Sequence, residues 1–354
     1  MIGISKYNIK LRDVAKLADV SVGTVSRYIN KHPSVSKKNA AKIQNAIEQL
    51  GYIPNLMARN LAKGVSNNLL LYILQEKPIL ESTWLYELPI IQSIYEYIRP
   101  TNYSLQLAMD YLEDKLEIGR FINEYVNSKR VDGMIILSTF EIDDATILTL
   151  MKSELPFILL GNQTNILAAN QILFDNYHAI NEVMDYLYQL GHRRIALING
   201  FAHQQHMIQR ASAYCDSLKR LGLDTCDEWV KNANHTVDGG CKCMNEILDL
   251  KKQPTAVVCG NDDMAIGAMK AIKDRGFSIP GDYSITGFDD SILSRIAEPD
   301  LTTVKIPLEA LANTAIEKLI ESMNHPDMTI PKKVLACTMV VRSSTGRPKP
   351  EYEL

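Results

Sequence analysis

Seven residues near the start of the chain, Ser21, Val22, Gly23, Thr24, Ser26, Arg27 and Asn30, have types suited to reading the edges of DNA bases. A guanidinium such as that of Arg27 grips guanine through two parallel hydrogen bonds in a major groove, and a valine methyl can meet the methyl of thymine. Hydroxyl groups such as that of Thr24 reach phosphate oxygens, which position a protein without reading sequence. Gly23 offers no side chain, so specificity would fall on Arg27, Ser26, their neighbours and DNA shape. The same residues would equally suit a surface hairpin with a solvated arginine, and the rest of the chain must decide.

To present these side chains together, the chain needs a helix, and the apolar spacing predicts one. Leu11, Val14, Ala15 and Ala18, then Val22, Val25 and Ile29, recur at helical intervals on either side of Asp19-Val20-Ser21. Two short helices packed across a tight turn result, with Ser21 capping the second by accepting a backbone N–H. Ser34-Val35-Ser36 opens a third helix, Lys37 to Leu50, which Gly51 ends. Then comes Tyr52-Ile53-Pro54-Asn55, followed by two turns of helix up to Gly64. That helix is too short to persist alone in water. Arg59 could reach a phosphate backbone from it, and Leu61 could wedge into a minor groove; a plain linker is the alternative.

Charge separates this region from the remainder. Residues 1–65 hold eleven Lys/Arg against three acids, whereas the rest holds 27 against 38, within a chain of net charge −3. A basic arm on an acidic body suits a polyanion-binding module joined to something that avoids polyanions. At 354 residues and 46% hydrophobic content, two or three domains are expected. Six scattered cysteines lack the paired spacing of a zinc site and read as reduced thiols. The N-terminus is charged where a signal peptide needs an apolar stretch, and no apolar run is long enough to span a membrane. A cytoplasmic protein is expected, with no membrane partner, metal or cofactor.

The run Asp13-Val14-Ala15, then Val20-Ser21, Thr24-Val25-Ser26-Arg27, Val35-Ser36, Gly51-Tyr52-Ile53-Pro54-Asn55 and Ala58-Arg59 with Leu61-Ala62 resembles the lactose-repressor family of bacterial transcription regulators in order and spacing. The resemblance implies a homodimer that reads two half-sites of a palindromic operator with the helix Val22 to Asn30. It also implies paired hinge helices that insert Leu61 at the operator's centre, with Tyr52, Asn55, Ala58 and Arg59 among the DNA contacts. At Val22 and Gly23 many relatives carry longer polar side chains.

From Asn68 the texture changes to alternating strands and helices. Leu69 to Leu74, Ser104 to Met109, Gly133 to Leu137 and Phe157 to Leu160 read as buried strands, separated by helices at Trp84 to Ile98, Leu116 to Val126 and Ala145 to Met151. A second set places strands at Arg194 to Asn199, Ala256 to Gly260 and Ser284 to Phe288. Its helices are Ala179 to Leu190, Ile208 to Leu221, Gly240 to Leu248 and Met264 to Arg275. Such alternation gives two lobes built on parallel sheets, with ligands expected beyond the carboxyl ends of the strands. Gly191-His192-Arg193-Arg194-Ile195-Ala196, the run from Pro254 to Gly267, Gly287-Phe288-Asp289-Asp290 and Leu301-Thr302-Thr303-Val304 are similar to the family's effector-binding core, itself like periplasmic sugar-binding proteins.

That resemblance nominates Arg210, Asn261 and Asp289 as polar contacts of an effector, His235 as a weaker one, and Phe174 and Trp84 as walls. Carboxylate, amide and guanidinium groups suit pairs of sugar hydroxyls, and an aromatic face suits the apolar side of the ring. The effector class implied is a sugar or sugar phosphate. Gly161, Ala213 and Ile306 depart from the family's pattern. Of the acid pairs Asp262-Asp263 and Asp289-Asp290, one member each should pack or cap, because neighbouring side chains diverge.

The fold expected is multidomain: a helix-turn-helix headpiece over 1–54, a hinge helix and linker over 55–66, and a two-lobed α/β core over 67–354. The first lobe would take about 67–173 and 307–340, the second about 174–304. The function expected is a dimeric, sequence-specific DNA-binding regulator, a repressor controlled by a small effector, rather than an enzyme. No Gly-rich phosphate loop, nucleophile elbow or metal-ligand cluster is found. A solute-binding protein of a transport system is the alternative, opposed by the basic N-terminal module.

Overall fold

In a computed structural model of the chain, residues 9–53, 65–75, 83–111, 115–138, 141–161, 163–164, 166, 170–325, 328 and 330–350 are described. The chain divides into two compact units, 1–66 and 67–354.

The first unit contains α1 (Leu11–Ala18), α2 (Val22–Ile29) and α3 (Lys37–Leu50). Each boundary has a local cause. Asp19 takes a left-handed conformation that ends α1, and Ser21 Oγ accepts the Thr24 N–H at 3.1 Å to start α2. Ser36 caps α3 in the same way, and left-handed Gly51 stops it. Val14, Ala15, Ala18, Val25, Ile43 and Ala46 form the small core between them. Tyr28 fastens α2 to α3 by donating its hydroxyl to Gln44 at 2.8 Å.

The second unit runs β1 (Asn68–Gln75), α4 (Thr83–Ile98), β2 (Ser104–Tyr111), α5 (Lys115–Ser128), β3 (Gly133–Ser138), α6 (Asp144–Lys152), β4 (Phe157–Leu160) and β5 (Gln171–Phe174). It continues with α7 (Asn176–Leu190), β6 (Ile195–Asn199), α8 (Gln205–Leu221), β7 (Val230–Asn232), α9 (Val237–Leu248), β8 (Ala256–Cys259), α10 (Asp262–Asp274) and β9 (Ser284–Thr286). The last elements are α11 (Ile292–Ile296), β10 (Thr303–Lys305), α12 (Leu308–Asn324), β11 (Lys333–Leu335) and β12 (Thr338–Val340).

Two all-parallel sheets result, ordered β11-β5-β4-β3-β1-β2 and β7-β6-β8-β9, and the antiparallel pair β10-β12 lies apart from them. Their inner strands β3, β4 and β8 are buried along their whole length because both faces are covered, whereas the edge strands β7 and β11 are largely exposed. Leu69, Leu71 and Ile73 enter one core while Leu70, Tyr72 and Leu74 enter another, and Ile195 and Leu197 alternate likewise with Ala196 and Ile198. The chain returns to the first sheet after the second is complete. α12 packs on α4 and on β3, β4 and β5, and β11 pairs with β5. Phe174, the last residue of β5, therefore belongs to the first sheet.

Within the second lobe α9 and α10 approach at backbone distance. A Cβ on Gly240 would strike the Met264 backbone, and one on Gly267 would strike Val237 O and Cys241 N, so both positions need glycine's missing side chain.

Candidate functional site

In the first unit, α2 turns Val25 wholly inward, which leaves Val22, Gly23 and Arg27 exposed on its outer face and Ser26 half-buried at its edge. Val22 is 47% exposed. The Arg27 guanidinium folds back over Gly23, so that a Cβ there would lie 3.7 Å from Nη2 and 3.7 Å from Ser21 Oγ. Gly23 thus leaves the arginine and the capping serine side by side at the helix N-terminus, where the backbone dipole favours anions. Thr24 shares its hydroxyl with Ser21 at 2.8 Å. Asn30 sits exposed just beyond α2, and Tyr52 packs half-buried against the headpiece core. Asn55, Ala58, Arg59 and Leu61 lie outside the described residues.

The second unit holds a cavity of about 160 Å³ between its sheets, more than one bound water would need. One wall comes from the carboxyl ends of β1, β3, β4 and β5 together with α4: Ile73, Leu74, Gln75, Leu137, Ser138, Gly161, Phe174, Tyr86 and Glu87. The other comes from the start of α8 and the segments that follow β7, β8 and β9: Gln204, His206, Met207, Arg210, His235, Asn261, Asp263 and Asp289. Parallel α/β topology puts ligand sites at this end of the strands.

Arg210, Asn261, Asp289, His235 and Phe174 thus meet in one place. Trp84 lies in the first turn of α4, and its side chain is outside the described residues. Arg210 is only 2% exposed. Its Nε donates to Asn176 Oδ1 at 2.8 Å, Nη1 donates to the Gly260 carbonyl, and the guanidinium lies 3.5 Å over the Phe288 ring. Burial lowers its pKa, against the pull of Asp289.

Asp289 is held at φ 117°, and its N–H donates to the Val304 carbonyl at 2.7 Å. Such a conformation costs a non-glycine residue about 1–3 kcal/mol and recurs at functional sites. Burial lifts the Asp289 carboxyl well above the usual carboxylate range, although Arg210 opposes it. Asp290, also left-handed, turns the other way and accepts from Arg342 and, at 3.3 Å, from Arg295. The second acid pair divides similarly. Asp262 is fully buried, accepting from Thr303 Oγ1 at 2.5 Å and Ser291 N at 2.7 Å, while Asp263 lines the cavity.

His235 is a second left-handed residue in the wall, at φ 63°. Its ring fits because position 200 is glycine, where a Cβ would overlap the imidazole. Nε2 lies 2.7 Å from Gln204 Oε1 and 3.5 Å from the Phe201 N–H, so whether it donates to the first or accepts from the second follows from the tautomer. Burial pushes the His235 pKa down to about 4 and that of His206 well below the usual value, so both rings are neutral near pH 7. Asn261 borders the cavity with both ends of its amide in use: Oδ1 caps α10 by accepting the Met264 N–H, and Nδ2 donates to the His235 carbonyl.

Sequence reasoning missed Glu87, Tyr86, Gln204 and His206. Glu87 follows Trp84 by three residues and His206 precedes Arg210 by four, intervals that share a helix face, so both were within reach. Glu87 is 3% exposed and accepts Gln75 Nε2 at 2.5 Å. Burial pushes its pKa up to about 7 and that of Asp263 to about 6. Ile306, by contrast, is buried in the core and does not line the cavity. Among the described residues no group of three or more His, Cys, Asp or Glu is arranged to hold a metal ion, and no helix is long and apolar enough to cross a membrane.

Comparison with known proteins bears on both halves. Residues 10–55 match the family described as "Bacterial regulatory proteins, lacI family", and residues 184–345 match the "Periplasmic binding protein-like domain". Over 340 residues the chain is 30% identical to the probable HTH-type transcriptional repressor ExuR of Bacillus subtilis, covering 96% of this chain and 99% of that one. It is also 30% identical to the HTH-type transcriptional repressor CytR of Escherichia coli, over 95% of this chain and 96% of the other. Among solved structures, the lac repressor dimer bound to operator and the anti-inducer ONPF aligns with a TM-score of 0.83 at 26% identity, over 96% of this chain and 99% of that one. A complex of the transcriptional regulator CelR with cellobiose aligns at 0.71 and 26%, over 95% and 100%.

Proposed function

The chain belongs to the lacI family of bacterial regulatory proteins, and from that premise we propose a homodimeric operator-binding repressor whose grip on DNA is set by a small molecule held between the lobes of each core. The observation that carries this reading is the cavity itself, whose walls come from two separate sheets of one chain. A molecule touching both walls favours one arrangement of the lobes over others, and only such differential contact can shift an equilibrium. α2 supplies the reading surface, with Arg27 to a guanine, Val22 to a thymine methyl, and Ser21 and Thr24 to phosphate. Ser26, Asn30 and Tyr52 flank it, and Gly23 admits close approach. Asn55, Ala58, Arg59 and Leu61 extend the contact as a hinge toward the minor groove.

In the core, Arg210 and Asp289 hold the hydroxyls of a sugar or sugar derivative, His235 adds an imidazole nitrogen, and Phe174 and Trp84 wall the ring. The cavity binds rather than catalyses, and the protein acts in the cytoplasm. The domains follow: a DNA-binding headpiece over 1–54, a linker over 55–66, and an effector-binding core over 67–354.

The test titrates full-length protein against palindromic fragments from its own genome and scrambled controls, with and without sugars. Asp289→Ala should keep operator affinity within about twofold, as expected of a site remote from the DNA, and lose the sugar's influence on it. Equal binding to palindromic and scrambled fragments refutes the operator reading, and a normal sugar response in the variant removes Asp289 from the site.

A further inference from the structure

We propose that the molecule taken by this cavity is cationic: an ammonium group on a polyhydroxylated frame, of the amino-sugar class, with the ammonium seated among Glu87, Asp263 and Asp289. The inference deepens the effector reading and rests on it.

The described lining carries three carboxyl groups and a single guanidinium; burial favours the protonated forms of the three while the cavity is empty, and a cation seated among them would release those protons to solvent. Arg210 already spends its charge inside the protein, bonded to Asn176 and the Gly260 carbonyl and stacked on Phe288. Glu87, Asp263 and Asp289 form no salt bridge within 4 Å among the described residues, although the Arg210 charge acts on Asp289. Glu87 goes further: one oxygen takes the Gln75 amide, while Oε2 is buried with no hydrogen-bond partner at all. A buried acceptor left unmade is costly, and a carboxylate oxygen more so than most. An ammonium offers three donors and no acceptor, which matches three carboxyl groups that line one cavity from α4, α10 and the turn after β9, near enough for Glu87 and Asp263 to act on Asp289.

A phosphate or uronate, in contrast, would bring its negative charge among three carboxyl groups, with no free lysine or arginine of the described lining to meet it. Neither lining histidine could serve, because burial keeps both neutral near pH 7. The opposite side of the cavity, Ile73, Leu74, Leu137, Phe174 and Met207, is apolar and suits the C–H face of a ring.

The experiment measures melting of full-length protein with glucosamine, galactosamine and mannosamine, with their neutral parents glucose, galactose and mannose, and with the corresponding 6-phosphates. At least one amine should bind on the order of tenfold tighter than its own parent, as charge-assisted hydrogen bonds predict. Glu87→Gln should remove that preference, so that the amine binds no tighter than its own parent. Asp263→Asn does the same should the first variant fail to fold. An amine that never exceeds its parent, or a phosphate that binds tightest, overturns the cationic assignment. The effector cavity itself then stands if a neutral or phosphorylated sugar shifts the melt in wild type but not in Asp289→Ala. If none of the nine compounds does so, both readings fall together.

Discussion

Replacing Glu87 by glutamine should stabilise the empty protein, and only above a defined pH. Glu87 is 3% exposed, and its folded pKa of about 7 exceeds the ordinary value of 4.5 because burial disfavours the charged form. For an acid raised in this way, the folded state holds its proton where the unfolded chain has released it. Stability is therefore unpenalised below about pH 4.5, falls as pH rises from there, and reaches its full loss above about pH 7. A shift of that size corresponds to about 3 kcal/mol. Glutamine preserves the acceptor for Gln75 and does not titrate. The two proteins should therefore melt at a similar offset near pH 4.5 and diverge by a few degrees by pH 8, with the variant higher. Thermal unfolding followed by circular dichroism at half-unit pH steps is sufficient. Asp263 on the facing element titrates in both proteins, while Asp289, whose carboxyl the Glu87 charge helps to raise, is relieved in the variant and adds to the divergence in the same direction. A gap between variant and wild type that stays constant from pH 4.5 to 8 would refute the reasoning, because the Glu87 charge would then contribute nothing.

Further outcomes follow from other parts of the molecule. Arg27→Ala should cost about 1–3 kcal/mol on the cognate operator and relax discrimination at one base pair, measured by fluorescence anisotropy on singly substituted operators; unchanged discrimination removes Arg27 from base reading. Ser21→Ala should lower headpiece stability by about 1 kcal/mol through loss of the cap on α2, and a headpiece melt that does not move would exclude that role. Gly267→Ala should destabilise the core by about 1–3 kcal/mol, because the added methyl meets backbone of α9 that has no room to yield. Urea unfolding with a midpoint equal to wild type would contradict the close helix contact.

How far the fold could be read in the sequence follows from which residues carry periodicity. α3 spans Lys37–Leu50 and β4 spans Phe157–Leu160 as the spacing predicts, since each is a complete apolar pattern between clear stops. Helix starts came late: α7 begins at Asn176 and not Ala179, and α9 at Val237 and not Gly240. In both, the first turn is polar or small and set by a cap, Asp175 to His178 N and Thr236 to Gly239 N. A cap leaves no trace in an apolar count. The three-residue strands β7, β10, β11 and β12 are too short for alternation to register, and α12 lies in the stretch that the sequence assigns only as a return to the first lobe. The contacts nominated by resemblance do meet at the cavity, apart from Trp84, whose side chain is undescribed. Glu87 is not legible because a carboxylate in a helix reads as solvated until its burial is known, and the pairing of Asp262 with Asp263 does not say which of the two faces the cavity.

The strained residues explain why binding here should reach the rest of the core. Asp289 and His235, both left-handed without being glycine, face the cavity, and each is fixed by the backbone around it. Asp289 hangs from the Val304 carbonyl, on the segment where β10 leads into α12 and back to the first sheet. Asp262, one residue before the cavity-lining Asp263, ties α10 to Thr303 on β10 and to Ser291 before α11. A ligand that pulls on Asp263 and Asp289 therefore loads the segment that passes from the second lobe to the first. Because the coupling is a free energy, it is reciprocal: DNA that holds the lobes in one arrangement must change ligand affinity by the same factor that ligand changes DNA affinity. Titrating ligand into free and operator-bound protein measures that factor from one side, and titrating operator with and without ligand measures it from the other. A factor of one would mean that the cavity and the operator do not bias the same pair of states.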